Sequence, residues 1–153
     1  MVFKINISDK SGKTYKLELE SEGLMGKSLY DKVEGKEILP GLTGYELEIT
    51  GTSDTAGFTS MENVDGIGLK KVMLTYGKGF KKRSKKEGKR KRSKNRPKGL
   101  KFSKTVRGKV ISNAITQINM KVIKAGSKPL SEIFLDQNKP KEASQEKAEE
   151  KPQ

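Results

Sequence analysis

Val2-Phe3-Lys4-Ile5-Asn6-Ile7 alternates strictly: Phe3, Ile5 and Ile7 fall on one side of an extended chain, Lys4 and Asn6 on the other. A period of two marks a strand with one face in a core and one in water. The polar run Ser8-Asp9-Lys10-Ser11-Gly12-Lys13 follows, with Gly12 available for positive φ. Tyr15, Leu17 and Leu19 then alternate with Lys16, Glu18 and Glu20. Two alternating runs around such a turn predict a hairpin. The pattern recurs at Tyr45, Leu47 and Ile49 after Pro40-Gly41, at Val72, Leu74 and Tyr76, and at Ile118, Met120 and Val122. Val110-Ile111 reads as a further short strand. Residues 27–33, with Leu29 and Val33 four apart between Gly26 and Gly35, suggest one or two helical turns. Five or six short strands with glycine-rich connections and little helix predict an all-β fold, a small barrel or sandwich with one short helix.

Charge divides the chain sharply. The net charge of the 153 residues is +14. Residues 1–77 hold 9 Lys/Arg against 12 Asp/Glu, whereas residues 78–109 hold 17 against Glu87 alone. A roughly neutral body therefore carries a polycationic arm, and that asymmetry points to a polyanionic partner. Within residues 78–99 only Phe80 can pack. In isolation the like charges repel and extend the loop; beside a nucleic acid they neutralise phosphates and release condensed counterions. Arg83, Arg90, Arg92 and Arg96 can each grip a phosphate bidentately, while the lysines act as point charges. A solvated charge run or an import signal is the bland reading, and one acid among eighteen charges argues against it. Charge alone does not separate RNA from DNA, because both present phosphates.

Residues 136–153 change composition again, to Lys, Glu, Gln, Ala, Pro and Ser with no large apolar side chain. Such a segment cannot bury enough surface to offset ordering entropy, so a disordered tail is expected, a partner-induced charged helix being the alternative. The domain reading is 1–135 for a β domain that includes the basic arm 78–109, and 136–153 for the tail.

The composition excludes much chemistry. Without Cys or His there is no disulfide, no thiolate or imidazole ligand, and no Ser-His-Asp or Cys-His constellation. No metal site, cofactor or small-molecule substrate is expected. Gly51-Thr52-Ser53-Asp54-Thr55-Ala56-Gly57 lacks the Gly-Lys-Ser/Thr ending of a phosphate loop. It reads as a structural turn in which Gly51 and Gly57 supply unusual φ and the Asp54 carboxylate accepts from nearby amides. Asp65-Gly66-Ile67-Gly68 has too few acids for a calcium loop. Glu18 with Glu20, and Glu46 with Glu48, sit on outer strand faces rather than as catalytic pairs. No apolar run approaches the roughly 20 residues of a membrane span. The alternating N-terminus lacks a signal peptide's continuous apolar stretch, so a soluble, cytoplasmic protein is expected.

Four stretches carry a resemblance to one family. They are Ile49-Thr50-Gly51-Thr52-Ser53-Asp54-Thr55-Ala56-Gly57-Phe58, then Val72-Met73-Leu74-Thr75-Tyr76-Gly77-Lys78-Gly79-Phe80 leading into the basic loop, then Lys104-Thr105-Val106-Arg107-Gly108. The fourth runs from Val110-Ile111-Ser112-Asn113 through Ile118-Asn119-Met120-Lys121-Val122-Ile123-Lys124-Ala125-Gly126. In order and spacing they resemble small-subunit ribosomal protein six of the archaeal and eukaryotic type, over roughly residues 1–130, in its short archaeal form. Thr52 stands where that family has a second glycine, Thr59-Ser60 where it has proline, and Met61 comes one residue late.

The resemblance implies a β-barrel docked on small-subunit ribosomal RNA among neighbouring ribosomal proteins. It implies RNA contacts at Lys81, Lys82, Arg83, Lys89, Arg90, Lys91, Arg92, Lys101, Lys104 and Arg107. For Gly108, grouped with the structural turn glycines, the physical hypothesis is that it lets the backbone approach a phosphate closely while Arg107 clamps it. The competing expectation is a free nucleic-acid chaperone or chromatin-type protein with the same body and arm.

Overall fold

A computed structural model describes residues 2–20, 23–81, 99–134 and 137. The structure is mainly β. Seven strands are β1 (Val2–Ser8), β2 (Thr14–Glu20), β3 (Lys32–Glu34), β4 (Glu46–Asp54), β5 (Leu69–Leu74), β6 (Phe102–Arg107) and β7 (Ile115–Lys124). Among the described residues the two α-helices are single turns, α1 (Gly35–Ile38) and α2 (Leu130–Ile133), and Pro40–Leu42 forms a 3-10 turn. Five strands form one sheet in the order β2-β1-β7-β4-β3, and β5 and β6 form a separate two-stranded ribbon. Pairings among the described residues do not close this sheet into a barrel: β2 and β3 are its edges.

The alternation of β1 does its expected work. Phe3, Ile5 and Ile7 are buried while Lys4 is exposed. β1 runs antiparallel to β2 through a turn with Gly12 at φ +85°. It runs parallel to β7, with Ile5 beside Ile118 and Ile7 beside Met120. β7 in turn pairs antiparallel with β4, where Ile49 faces Met120 and Leu47 faces Val122. These inward side chains make the core, which Leu24, Leu29, Ile38, Leu42 and Leu130 cover. Burying a side chain of this size is worth about 1.5–3 kcal/mol, so the sheet holds through its inner face.

The outer face is polar and laddered. The Asn6 and Gln117 side-chain amides both donate to Asn119 Oδ1, at 2.8 and 2.9 Å. Lys121 pairs with Glu48 at 3.0 Å and Lys124 with Glu46 at 3.5 Å, each across the β4–β7 seam. At the free edge of β2, the Gln137 side chain both donates to Lys16 O (2.6 Å) and accepts from Lys16 N (2.7 Å), satisfying backbone groups that an edge leaves open. Gln137 is the one described residue of the tail; the expectation of disorder otherwise falls on residues outside those described.

Three local expectations fail. Residues 27–33 form no helix: Tyr30 sits at φ +70°, Ser28 bridges to Val110, and residues 32–34 extend into β3. A left-handed residue cannot continue a right-handed helix, so the helical turn comes later, at Gly35–Ile38. Gly51 supplies no positive φ. It lies inside β4 opposite Asn119, at a register shift between Ile49 and Gly51, where a bulge takes up the extra residue. Likewise Val110-Ile111 is no strand beyond the single bridge from Val110.

Candidate nucleic-acid interface

The basic arm leaves and re-enters the body through the β5–β6 ribbon. Register pairs Lys71 with Thr105, Val72 with Lys104, and Leu74 with Phe102. Lys70 and Lys104 therefore share one face of the ribbon and Lys71 takes the other. The arm's root is fixed by Phe80, buried and packed against Phe102 with ring centroids 5.7 Å apart, and by a Gly77–Phe80 bridge in which Gly79 takes φ +75°. One buried aromatic thus clamps a segment that otherwise has nothing to bury.

Lys70, Lys71, Lys81, Lys101 and Lys104 are exposed. None of the five forms an ion pair among the described residues, and from residue 69 to residue 109 the chain has no acid except Glu87. On the five-stranded sheet, by contrast, Lys4, Lys121 and Lys124 each meet a glutamate on the neighbouring strand. Of the residues expected to contact RNA, Lys81, Lys101 and Lys104 lie together on this ribbon and at its mouth. Lys82, Arg83, Lys89, Arg90, Lys91 and Arg92 lie outside the described residues.

Arg107 is placed differently. Its Nε and Nη2 donate to Asp54 Oδ2 at 2.9 and 2.6 Å, and Nη1 donates to Ile67 O at 3.1 Å. The two side chains are 12% and 5% exposed. Asp54 Oδ1 meanwhile accepts from the Ala56 amide (2.5 Å) and the Thr55 hydroxyl (3.1 Å). The Ala56 amide, then Arg107 and Thr55, hold this carboxyl below its ordinary range against the opposing effect of burial. Arg107 thus spends its fork tying the end of β6 to the end of β4.

The segment between them completes the joint. The Arg107 amide donates to Thr59 O, the Met61 amide to Arg107 O, and the Ser60 amide to Thr52 O. Thr52 and Ser60, both buried, share a 2.6 Å hydroxyl bond. Gly57 closes the turn at φ +84°. Gly108 is buried against residue 66, where a Cβ would stand 1.9 Å from Gly66 O. The close approach that Gly108 permits is to this chain's own backbone. No sequence spacing could have shown the Asp54–Arg107 contact, whose partners are 53 residues apart.

Among the described residues no group of His, Cys, Asp or Glu could hold a metal ion, and no helix is long and apolar enough to cross a membrane.

Fold and site together define a mainly β protein whose ribbon, pinned to the end of its sheet, carries exposed lysines with no ion-pair partner among the described residues. Residues 3–135 match the family described as Ribosomal protein S6e, and the chain belongs to that family. Among its relatives is the small ribosomal subunit protein eS6 of Methanothermobacter thermautotrophicus, 40% identical over 137 residues, covering 88% of this chain and 96% of the relative. The protein of the same name from Methanococcus maripaludis is 39% identical over 131 residues, 85% and 94% of the two chains. That of Nanoarchaeum equitans is 38% identical over 135 residues, 87% and 90%.

Proposed function

We propose that this chain is a structural constituent of the small ribosomal subunit, in the cytoplasm, and that it binds ribosomal RNA through the Lys/Arg-rich arm and the ribbon that carries it. The observation that supports this reading most directly is the ribbon's set of lysines without carboxylate partners among the described residues, at the root of a segment with one acid in 32 residues. Membership of a ribosomal family favours RNA over DNA as the polyanion. The contacts assigned are Lys81, Lys82, Arg83, Lys89, Arg90, Lys91, Arg92, Lys101 and Lys104. Arg107 and Gly108 shape the ribbon instead of gripping a phosphate. Neighbouring ribosomal proteins meet the body, and the role is architectural, with no catalytic step.

Binding of the purified protein to a small-subunit rRNA transcript, measured across a salt series, tests this. If about six side chains meet phosphates, log K falls against log salt with a slope of about −4 to −5. Duplex DNA of equal length should bind more weakly at every salt concentration. Salt-independent binding, or tighter binding to the DNA, would overturn the reading.

A further inference from the structure

The turn that follows β4 and the outgoing strand β6 enclose a cleft of about 370 Å³. It is lined by Gly57, the half-buried Phe58 and Gly79, and along β6 by Ser103, Lys104 and Thr105. Among the described residues no carboxylate lines it. Gly57, at positive φ and with no atom within 4 Å of where a Cβ would stand, contributes main chain without a side chain, which leaves room for a flat ligand to approach. Ser103 and Thr105 are alternate residues of one strand, so their hydroxyls look to the same side, and neither is hydrogen-bonded among the described residues. Lys104 has no ion-pair partner there either.

An aromatic ring, two uncommitted hydroxyls and one unpaired cation are what an unstacked nucleobase with its phosphate requires. The volume lies at the low end for small-ligand sites and suits one nucleoside. Along the chain, Gly79 and Ser103 are each two residues from an arm-root lysine, Lys81 and Lys101. A phosphate backbone gripped by the arm therefore passes the mouth of the cleft. We propose that the cleft receives a single splayed-out nucleotide of the bound RNA, with Phe58 as the stacking surface, Ser103 and Thr105 bonding the base edge, and Lys104, which projects from the opposite face of β6, meeting the phosphate at the rim. This rests on the RNA-binding function argued above and adds a specific subsite to it.

The test uses the full chain and the rRNA transcript that it binds. Phe58→Leu should weaken binding about tenfold at fixed salt while leaving the salt slope unchanged, because stacking is not electrostatic. Phe58→Tyr should restore it. Short-wavelength ultraviolet irradiation of the wild-type complex should cross-link RNA to the peptide containing Phe58, a readout that needs no variant to fold. Binding within twofold of wild type for a folded Phe58→Leu protein, with no cross-link at residues 57–59, would overturn the subsite and leave the arm's role standing. Absence of salt-dependent RNA binding in the wild type would overturn both.

Discussion

Replacing Arg107 by Met removes the guanidinium while keeping much of the aliphatic stem. Asp54, 5% exposed, would then lose both donors to Oδ2 and keep only the Ala56 and Thr55 bonds on Oδ1. Breaking a buried ion pair from one side costs about 3–5 kcal/mol. The two surviving bonds put this case at the low end, about 3 kcal/mol. For a folded body of this size that lowers Tm by roughly 10 °C. Asp54→Asn, which keeps an acceptor for the Ala56 amide, should cost less. A double-mutant cycle between Arg107→Met and Asp54→Ala should return a coupling of about 1.5–3 kcal/mol.

The pH dependence fixes the sign. Because the folded carboxyl is held below its ordinary range, its contribution is fully present above about pH 4 and is lost as pH falls further. The stability gap between wild type and Arg107→Met, followed by circular dichroism, should therefore narrow as pH falls below about 4. A Tm change under about 3 °C, or a gap that widens in acid, would refute the reasoning. So would a shallower salt slope for RNA binding by the folded variant, since that would make Arg107 a phosphate clamp.

Gly108→Ala should destabilise by about 3 kcal/mol, because a Cβ there meets Gly66 backbone rather than a side chain that could rotate away; urea unfolding measures it, and a loss below 1 kcal/mol would mean that the joint yields. Lys101→Gln with Lys104→Gln should leave Tm within about 2 °C of wild type, since neither lysine has a partner to lose. The same pair should make the salt slope of RNA binding shallower by about 1.4–1.8, as expected for two lost phosphate contacts; an unchanged slope would remove both from the interface.

The sheet was legible wherever apolar residues alternate against one core. β1, β2, β4 and β7 all declare themselves this way, since each places every second side chain inward. β6 did not, because Phe102, Lys104 and Val106 share a face and the lysines made the stretch read as arm. The helix was sought at Leu29 and Val33, whose spacing of four also fits a left-handed turn at Tyr30 running into a strand. At the site, exposed lysines could be read from composition, because a cation needs no partner in its own chain to be noticed. Arg107 could not. Whether a guanidinium faces a phosphate or a buried carboxylate depends on which distant residue the fold brings to it, and here the fold brings Asp54.

The most direct test of the account is removal of the arm itself. Deleting residues 82–98 spares Phe80 and every described strand, so the protein should keep its circular dichroism spectrum and its Tm. Expressed with a tag, wild type should sediment with small ribosomal subunits in a sucrose gradient at moderate salt, and the deletion variant should remain at the top. A folded deletion variant that still sediments quantitatively with small subunits would contradict the claim that this arm is the anchor.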